Sequence, residues 1–107
     1  MKKKEALIVD DSAFIRNLLS KIFTDLEFNV HLAEDGKDAL EKISQVKPDL
    51  ITSDYEMPNM DGKEFCTKIR LNQNYKDIPI IVISTHTEDQ EVIHLRSLGI
   101  KHFIHKP

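Results

Sequence analysis

Cysteine is nearly missing from this sequence: Cys66 is the one thiol in 107 residues. No internal disulfide can form, and a reducing, cytoplasmic setting is expected. No apolar stretch approaches the roughly 20 residues that cross a bilayer, so no membrane partner is expected. Positive charge is not in excess either. The net charge is −3, and the one basic cluster, Lys2–Lys3–Lys4, reads as a solvated tail on the first strand. Direct nucleic-acid binding is therefore not expected. Glu5 and Asp10–Asp11 follow the lysines too soon to leave the apolar core of a signal peptide. Internal repeats and low-complexity segments are absent. What remains is a soluble globular composition, 40% apolar and 31% charged, with enough length for one core and too little for two ordinary domains.

The chain alternates between two periodicities. Residues 6–9 are a short continuous apolar run, as in a strand buried on both faces of a parallel sheet. Ser12 is a good N-cap, and Ile15, Leu18, Leu19, Ile22, Phe23 and Leu26 then recur at helical spacing. Residues 29–33 read as a second strand, and Asp35–Gly36 opens a helix with Ala39, Leu40 and Ile43 on one side. Pro48 stops that helix. Residues 50–53 form a third strand leading into Asp54, and the turn-rich loop Pro58–Asn59–Met60–Asp61–Gly62 follows. Asp61 can cap a helix carrying Phe65, Cys66 and Ile69, in which Cys66 is expected to be buried packing. Residues 78–83 are the most β-prone run and end at Ser84. Residues 88–98 read as a helix with Val92, Leu95 and Leu98 inward, stopped by Gly99. A last short strand is expected at 101–104, before His105–Lys106–Pro107. A β-α-β-α-β-α-β-α-β order with short connections predicts a parallel sheet with right-handed crossovers and helices on both faces.

In such a sheet the carboxyl ends of the strands share one edge, where ligands bind. The first strand brings Asp10 and Asp11 there, the third Asp54, the fourth Ser84 and the fifth Lys106. Taken singly, each is commonplace: Asp-Asp-Ser is often only a cap, and a Lys-Pro pair is usually surface. Their order on successive strands is the informative part. Three converging carboxylates repel one another unless a cation neutralises them, and Mg2+ suits an all-oxygen site of this kind. Lys106 and Ser84 add a point charge and a hydroxyl donor, the groups required if Asp54 attacks a phosphoryl group.

The stretches Ile8–Val9–Asp10–Asp11–Ser12, Asp54–Tyr55–Glu56–Met57–Pro58–Asn59–Met60–Asp61–Gly62, Pro79–Ile80–Ile81–Val82–Ile83–Ser84 and Lys106–Pro107 resemble the receiver domain of two-component response regulators, of the CheY-like, chemotaxis type. The resemblance spans essentially the whole chain. It implies an α/β, flavodoxin-like, doubly wound sheet of five parallel strands in the order 2-1-3-4-5. It also implies a phosphorylation-dependent switch in a phosphorelay rather than an enzyme, promoting only its own phosphorylation and dephosphorylation. By the same resemblance Asp54 is the phosphoacceptor, served by a sensor histidine kinase or phosphotransfer protein. Asp11 and Asp54 hold Mg2+ through side chains, Glu56 through its backbone carbonyl, and Asp10 through water. Lys106 pairs with the phosphoryl oxygens, Ser84 hydrogen-bonds the phosphoryl group, and Phe103 is the aromatic switch. A downstream effector would read the fourth helix and fifth strand, and the Lys106–Pro107 bond would be cis.

Departures from the family pattern carry expectations of their own. Phe103 lacks the hydroxyl that tyrosine would bring, and Glu56 and His86 stand at positions that vary beside the phosphoryl group. Residues 1–107 read as one receiver domain, short at its C-terminus and lacking the usual fifth helix. Part of the apolar surface of the third to fifth strands is then expected to be exposed, with self-association across that face. Three other functions compete. A haloacid-dehalogenase-like phosphatase would place an Asp where Glu56 stands and needs a cap domain. A flavin-binding module would suffer repulsion between Asp10–Asp11 and the flavin phosphate. A receiver-derived adaptor that is never phosphorylated would have little use for the intact acidic set.

Overall fold

Alternating strand positions divide the core of this computed structural model, which describes residues 2–85 and 89–106. The elements run β1 (Glu5–Val9), α1 (Ala13–Asp25), β2 (Asn29–Ala33), α2 (Gly36–Val46), β3 (Leu50–Asp54), α3 (Gly62–Leu71), β4 (Ile80–Ser84), α4 (Asp89–Ser97) and β5 (His102–His105). The strands form one sheet in the order β2-β1-β3-β4-β5, every pair parallel. This is the flavodoxin-like order that the resemblance to receiver domains implies. The last two strands start one or two residues later than their apolar runs suggested. The expected cis bond at Pro107, His86 and the first residue of the predicted fourth helix, Glu88, lie outside the described residues.

Successive strand residues face opposite sides of the sheet. Leu7, Val9, Ile51, Ile80 and Val82 join Ala39, Ile43, Phe65, Cys66, Ile69 and Leu95 in the larger cluster, under α2, α3 and α4. Ala6 and Ile8 join Phe23 in a smaller cluster under α1. Burial pushes the Cys66 thiol up to about 12, so it is an inert packing residue, as expected.

The two faces are unequally covered: three helices lie on one and α1 on the other. Ile15 and Phe23 are buried, whereas Leu18, Ile22 and Ile104 remain 40%, 45% and 52% exposed. They border a groove of about 260 Å³ that also touches Thr52, Ile81 and Ile83. The expected exposure is therefore real but differently placed. Thr52 and Ile83 are buried although they line the groove. The open surface belongs mainly to α1 and to the edge strand β5.

Local chemistry sets the helix ends. Ser12 Oγ accepts from Ile15 N, Asp35 Oδ1 from Asp38 N, and Asp61 Oδ1 from Glu64 N, at 3.3, 2.8 and 2.8 Å. These are the N-cap bonds that satisfy otherwise orphaned amides. Gly99, at φ +82°, turns the chain from α4 towards β5.

One long-range tie was not legible in the sequence. Arg70, on the last turn of α3, donates from Nε to Leu98 O at 2.7 Å and from Nη1 to Ile78 O and Lys76 O at 2.8 and 3.1 Å. A single guanidinium thus joins α3, the approach to β4 and the end of α4. Arg70→Met is expected to lower the unfolding free energy by about 2–3 kcal/mol, since charge-assisted bonds to partly buried carbonyls are lost. Urea denaturation would measure it, and a loss below about 0.5 kcal/mol would mean that water replaces the guanidinium without cost.

Candidate functional site

Asp10, immediately after β1, and Asp54, the last residue of β3, are both buried at the carboxyl edge of the sheet. Asp11 is exposed beside them, and one carboxylate oxygen from each of the three lies within 4.8 Å of the others. Parallel pairing explains the convergence, because β1 and β3 run side by side in register from Ala6↔Leu50 to Val9↔Ser53.

Lys106 reaches this cluster from the far end of the chain. Its backbone N–H donates to Ser84 O at 2.9 Å, continuing the β4–β5 ladder by one step. Its ammonium lies 3.0 Å from Asp54 Oδ2 and 3.0 Å from Asp10 Oδ2. Asp10 Oδ1 also accepts from Ser12 N at 2.9 Å, and Arg16 Nη1 donates to the Asp10 carbonyl at 2.6 Å. The Lys106 ammonium lies against both oxygens of the buried Asp10 carboxylate, 3.0 Å from Oδ2 and 3.3 Å from Oδ1. Three carboxylates gathered in one hollow with a single ammonium leave an excess of negative charge, which fits a divalent cation bound through oxygen and water.

The electrostatics point the same way. Burial pushes the Asp54 carboxyl up to about 6; Lys106 opposes this, and the Asp10 charge adds to it. Burial by itself would lower the Lys106 ammonium, but hydrogen bonds and charge from Asp10 and Asp54 outweigh it and raise its pKa. A buried carboxylate whose pKa is raised towards neutral pH beside an ammonium is an arrangement more typical of functional sites than of surface ion pairs.

The other sequence-derived positions sit around this centre. Ser84 is buried at the end of β4, one residue beyond Ile83, the register partner of Asp54. Glu56 lies in the loop after β3 with its side chain exposed. Phe103 is half-buried against the larger core, and the Arg96 guanidinium lies 5.1 Å from its ring centroid, a cation–π distance. That contact supplies a polar partner for a ring that has no hydroxyl.

Sequence reasoning missed the supports of the loop after Asp54. Gly62 N donates to Tyr55 O at 2.7 Å and Gly36 N to Met60 O at 3.2 Å. Asn59 Nδ2 donates to Asp35 Oδ2 at 2.7 Å. The Asp38 amide and then the Asn59 side chain hold the buried Asp35 carboxyl below its usual range. The only local signal was Asn59 itself: it adopts φ +67°, a left-handed conformation that asparagine tolerates better than most residues.

The chain matches the response regulator receiver domain family over residues 6–107. It is 38% identical over 109 residues to a protein-glutamate methylesterase/protein-glutamine glutaminase of Geobacter sulfurreducens, covering all of this chain and 29% of that protein. A second such protein, from Nocardioides sp., is 46% identical over 96 residues, 87% of this chain and 25% of its own length. The chain therefore spans under a third of these curated relatives. Among solved structures, chemotaxis protein CheY4 of Vibrio cholerae superposes with a TM-score of 0.92 at 34% identity, over 99% of this chain and 88% of that one. The CheX–CheY–BeF3–Mg2+ complex of Borrelia burgdorferi gives 0.88 at 36% identity, over 97% and 78%.

Proposed function

We propose, for a chain that belongs to the response regulator receiver domain family, that it is a phosphorylation-controlled switch whose phosphoacceptor is Asp54. The observation that carries this is the buried Asp54 carboxylate, raised to about 6 and 3.0 Å from the Lys106 ammonium. At neutral pH Asp54 is largely ionised and can attack phosphorus through a carboxylate oxygen. The new bond is the C–O–P link of an acyl phosphate. The bond that breaks joins phosphorus to the donor, an imidazole nitrogen of a phosphohistidine or the oxygen of a small acyl phosphate, and its electron pair leaves with the donor.

Lys106 neutralises charge on the transferring oxygens, the usual demand of phosphoryl transfer. Ser84, at the adjoining strand end, would donate its hydroxyl to the same group. Asp10, Asp11, Asp54 and the Glu56 backbone carbonyl are the proposed Mg2+ site. A bound Mg2+ would screen the carboxylates from the incoming phosphoryl group and draw charge from its oxygens. The Mg2+ present in the Borrelia burgdorferi complex supports that assignment.

The donor is proposed to be a sensor histidine kinase or phosphotransfer protein. The output surface is proposed to be α4 and β5, where Phe103 lies under Arg96 and can couple to Ser84 through β4–β5 pairing. Among the described residues no helix is long and apolar enough to cross a membrane, and a cytoplasmic location is proposed. The greater length of the methylesterase relatives favours a second reading of the output, in which an attached effector rather than a free partner responds.

Incubation with acetyl phosphate and Mg2+ is expected to add one phosphoryl group to the intact mass. Asp54→Asn and EDTA should each abolish the gain. An unmodified wild type would leave the adaptor reading standing, and equal modification of Asp54→Asn would move the acceptor elsewhere.

A further inference from the structure

We infer that the Asp35–Asn59 contact is a positioning clip, which fixes the loop after β3 so that its backbone can serve the metal site. The inference rests on the Mg2+-dependent acceptor reading above. Residues 55–61 leave the sheet edge at Asp54 and return at Gly62, whose amide closes the base of the loop on Tyr55 O at 2.7 Å. Closing the base does not set the tilt of the loop. That is set at its far end, where Asn59 Nδ2 donates to Asp35 Oδ2 at 2.7 Å and Met60 O accepts from Gly36 N at 3.2 Å.

Asp35 is suited to the task because it cannot itself move far. It is 8% exposed, and its other oxygen caps α2 through Asp38 N at 2.8 Å. The last residue of β2, Ala33, accepts through its carbonyl from Asp10 N at 3.1 Å. The corner that carries Asp35 is thus tied to the strand end that carries Asp10. The Asp35 carboxylate links the start of α2 to the loop bearing Glu56, and the Ala33 carbonyl two residues earlier ties that corner to Asp10. Groups that orient a metal's ligands without touching the metal typically change affinity about 10- to 100-fold when removed.

Two variants separate the side-chain contact from the backbone. Asn59→Gly keeps the left-handed φ without strain and deletes only the amide. Asp35→Ser keeps an N-cap for α2 but is too short to reach Asn59. Calorimetric titration with Mg2+ should show each variant binding about 10-fold more weakly than wild type. The double variant should bind no more weakly than either single one, because both remove the same contact. Amide exchange in residues 55–61 should quicken in parallel.

Mg2+ affinities within about twofold of wild type, with only the unfolding midpoint lowered, would reduce the clip to packing and overturn the inference. So would a double variant showing the product of the two single losses. Asn59→Gly touches no helix cap, so it decides the matter even if Asp35→Ser folds poorly. A wild type that binds no Mg2+ would overturn the acceptor reading itself, an outcome distinct from normal binding by the variants.

Discussion

Gly62→Ala is expected to be among the most damaging single substitutions in this protein, lowering the unfolding free energy by about 3 kcal/mol or more. A Cβ built at Gly62 lies 2.2 Å from the Asp54 carbonyl oxygen and 2.8 Å from Tyr55 Cα. Both are backbone atoms, so no rotamer change relieves the overlap. Either α3 must withdraw from the end of β3, breaking the 2.7 Å bond from Gly62 N to Tyr55 O, or Asp54 must shift out of the hollow. Gly36 is a useful comparison. Its added Cβ would meet Met60 Cγ at 2.9 Å, Met60 O at 3.0 Å and Phe65 Cβ at 3.0 Å, a milder set that includes a flexible side chain. Gly36→Ala should therefore cost clearly less. At roughly 4–8 °C per kcal/mol for a domain of this size, thermal unfolding should show a fall above about 10 °C for Gly62→Ala. A fall of only about 2 °C would mean that α3 slides away freely, and the close approach would not be a constraint.

The second large effect is a pH dependence that runs against the common pattern for carboxylates. Asp54 has its folded pKa raised to about 6 by burial, above an unfolded value near 3.9. Between those values the folded state binds more protons than the unfolded one, so the slope of unfolding free energy with pH is negative there. Stability from protonated Asp54 is present in full below about pH 4 and is lost as pH rises through about 6. Asp35 and Glu5 behave oppositely. The Asp38 amide and the Asn59 side chain lower Asp35; Asn29 and His31 lower Glu5. Their contributions are lost only below the ordinary carboxyl range, so they do not mask Asp54 between pH 5 and 7. The raised Lys106 contributes stability present below about 10.5, lost as pH rises through its folded value.

The metal-free protein should therefore be more stable at pH 5 than at pH 7.5, by roughly 1.4 kcal/mol, because about one pH unit separates pH 5 from the folded value of about 6. Asp54→Asn should flatten that profile and raise stability at pH 7.5. Saturating Mg2+ should raise the wild type at pH 7.5 by mass action and help Asp54→Asn less. Urea unfolding at the two pH values, with and without Mg2+, reads all of these. Parallel pH profiles for wild type and Asp54→Asn would show that the strain in the hollow lies elsewhere. The same titration bears on chemistry, since a protonated Asp54 is no nucleophile and acceptance of phosphate should fall off in acid.

Much of this was legible because its causes are local. The caps Ser12, Asp35 and Asp61 act on amides three residues on, within the reach of any sequence window. The strands announce themselves by short β-branched runs, and the crossover rule then brings their carboxyl ends together. Asp10, Asp54 and Lys106 were found in that way, without any knowledge of distances. The α1 stripe was read less well. Leu18, Ile22 and Leu26 have the spacing of a buried face, yet remain exposed, because periodicity says which residues share a side and not what lies opposite it. The Asp35–Asn59 and Arg70–Leu98 contacts join residues 24 and 28 positions apart, and no local pattern encodes such a partner.

The amino-acid order by itself determined the element types, the parallel sheet and the set of acidic and basic groups at its edge, since each follows from propensity, period and the handedness of crossovers. Only the tertiary structure decided how strongly Asp54 is perturbed, which glycine must remain a glycine, and how the loop beyond it is tethered. Those depend on burial and on contacts of a few tenths of an ångström between distant segments, and such quantities come into being only when the chain has closed upon itself.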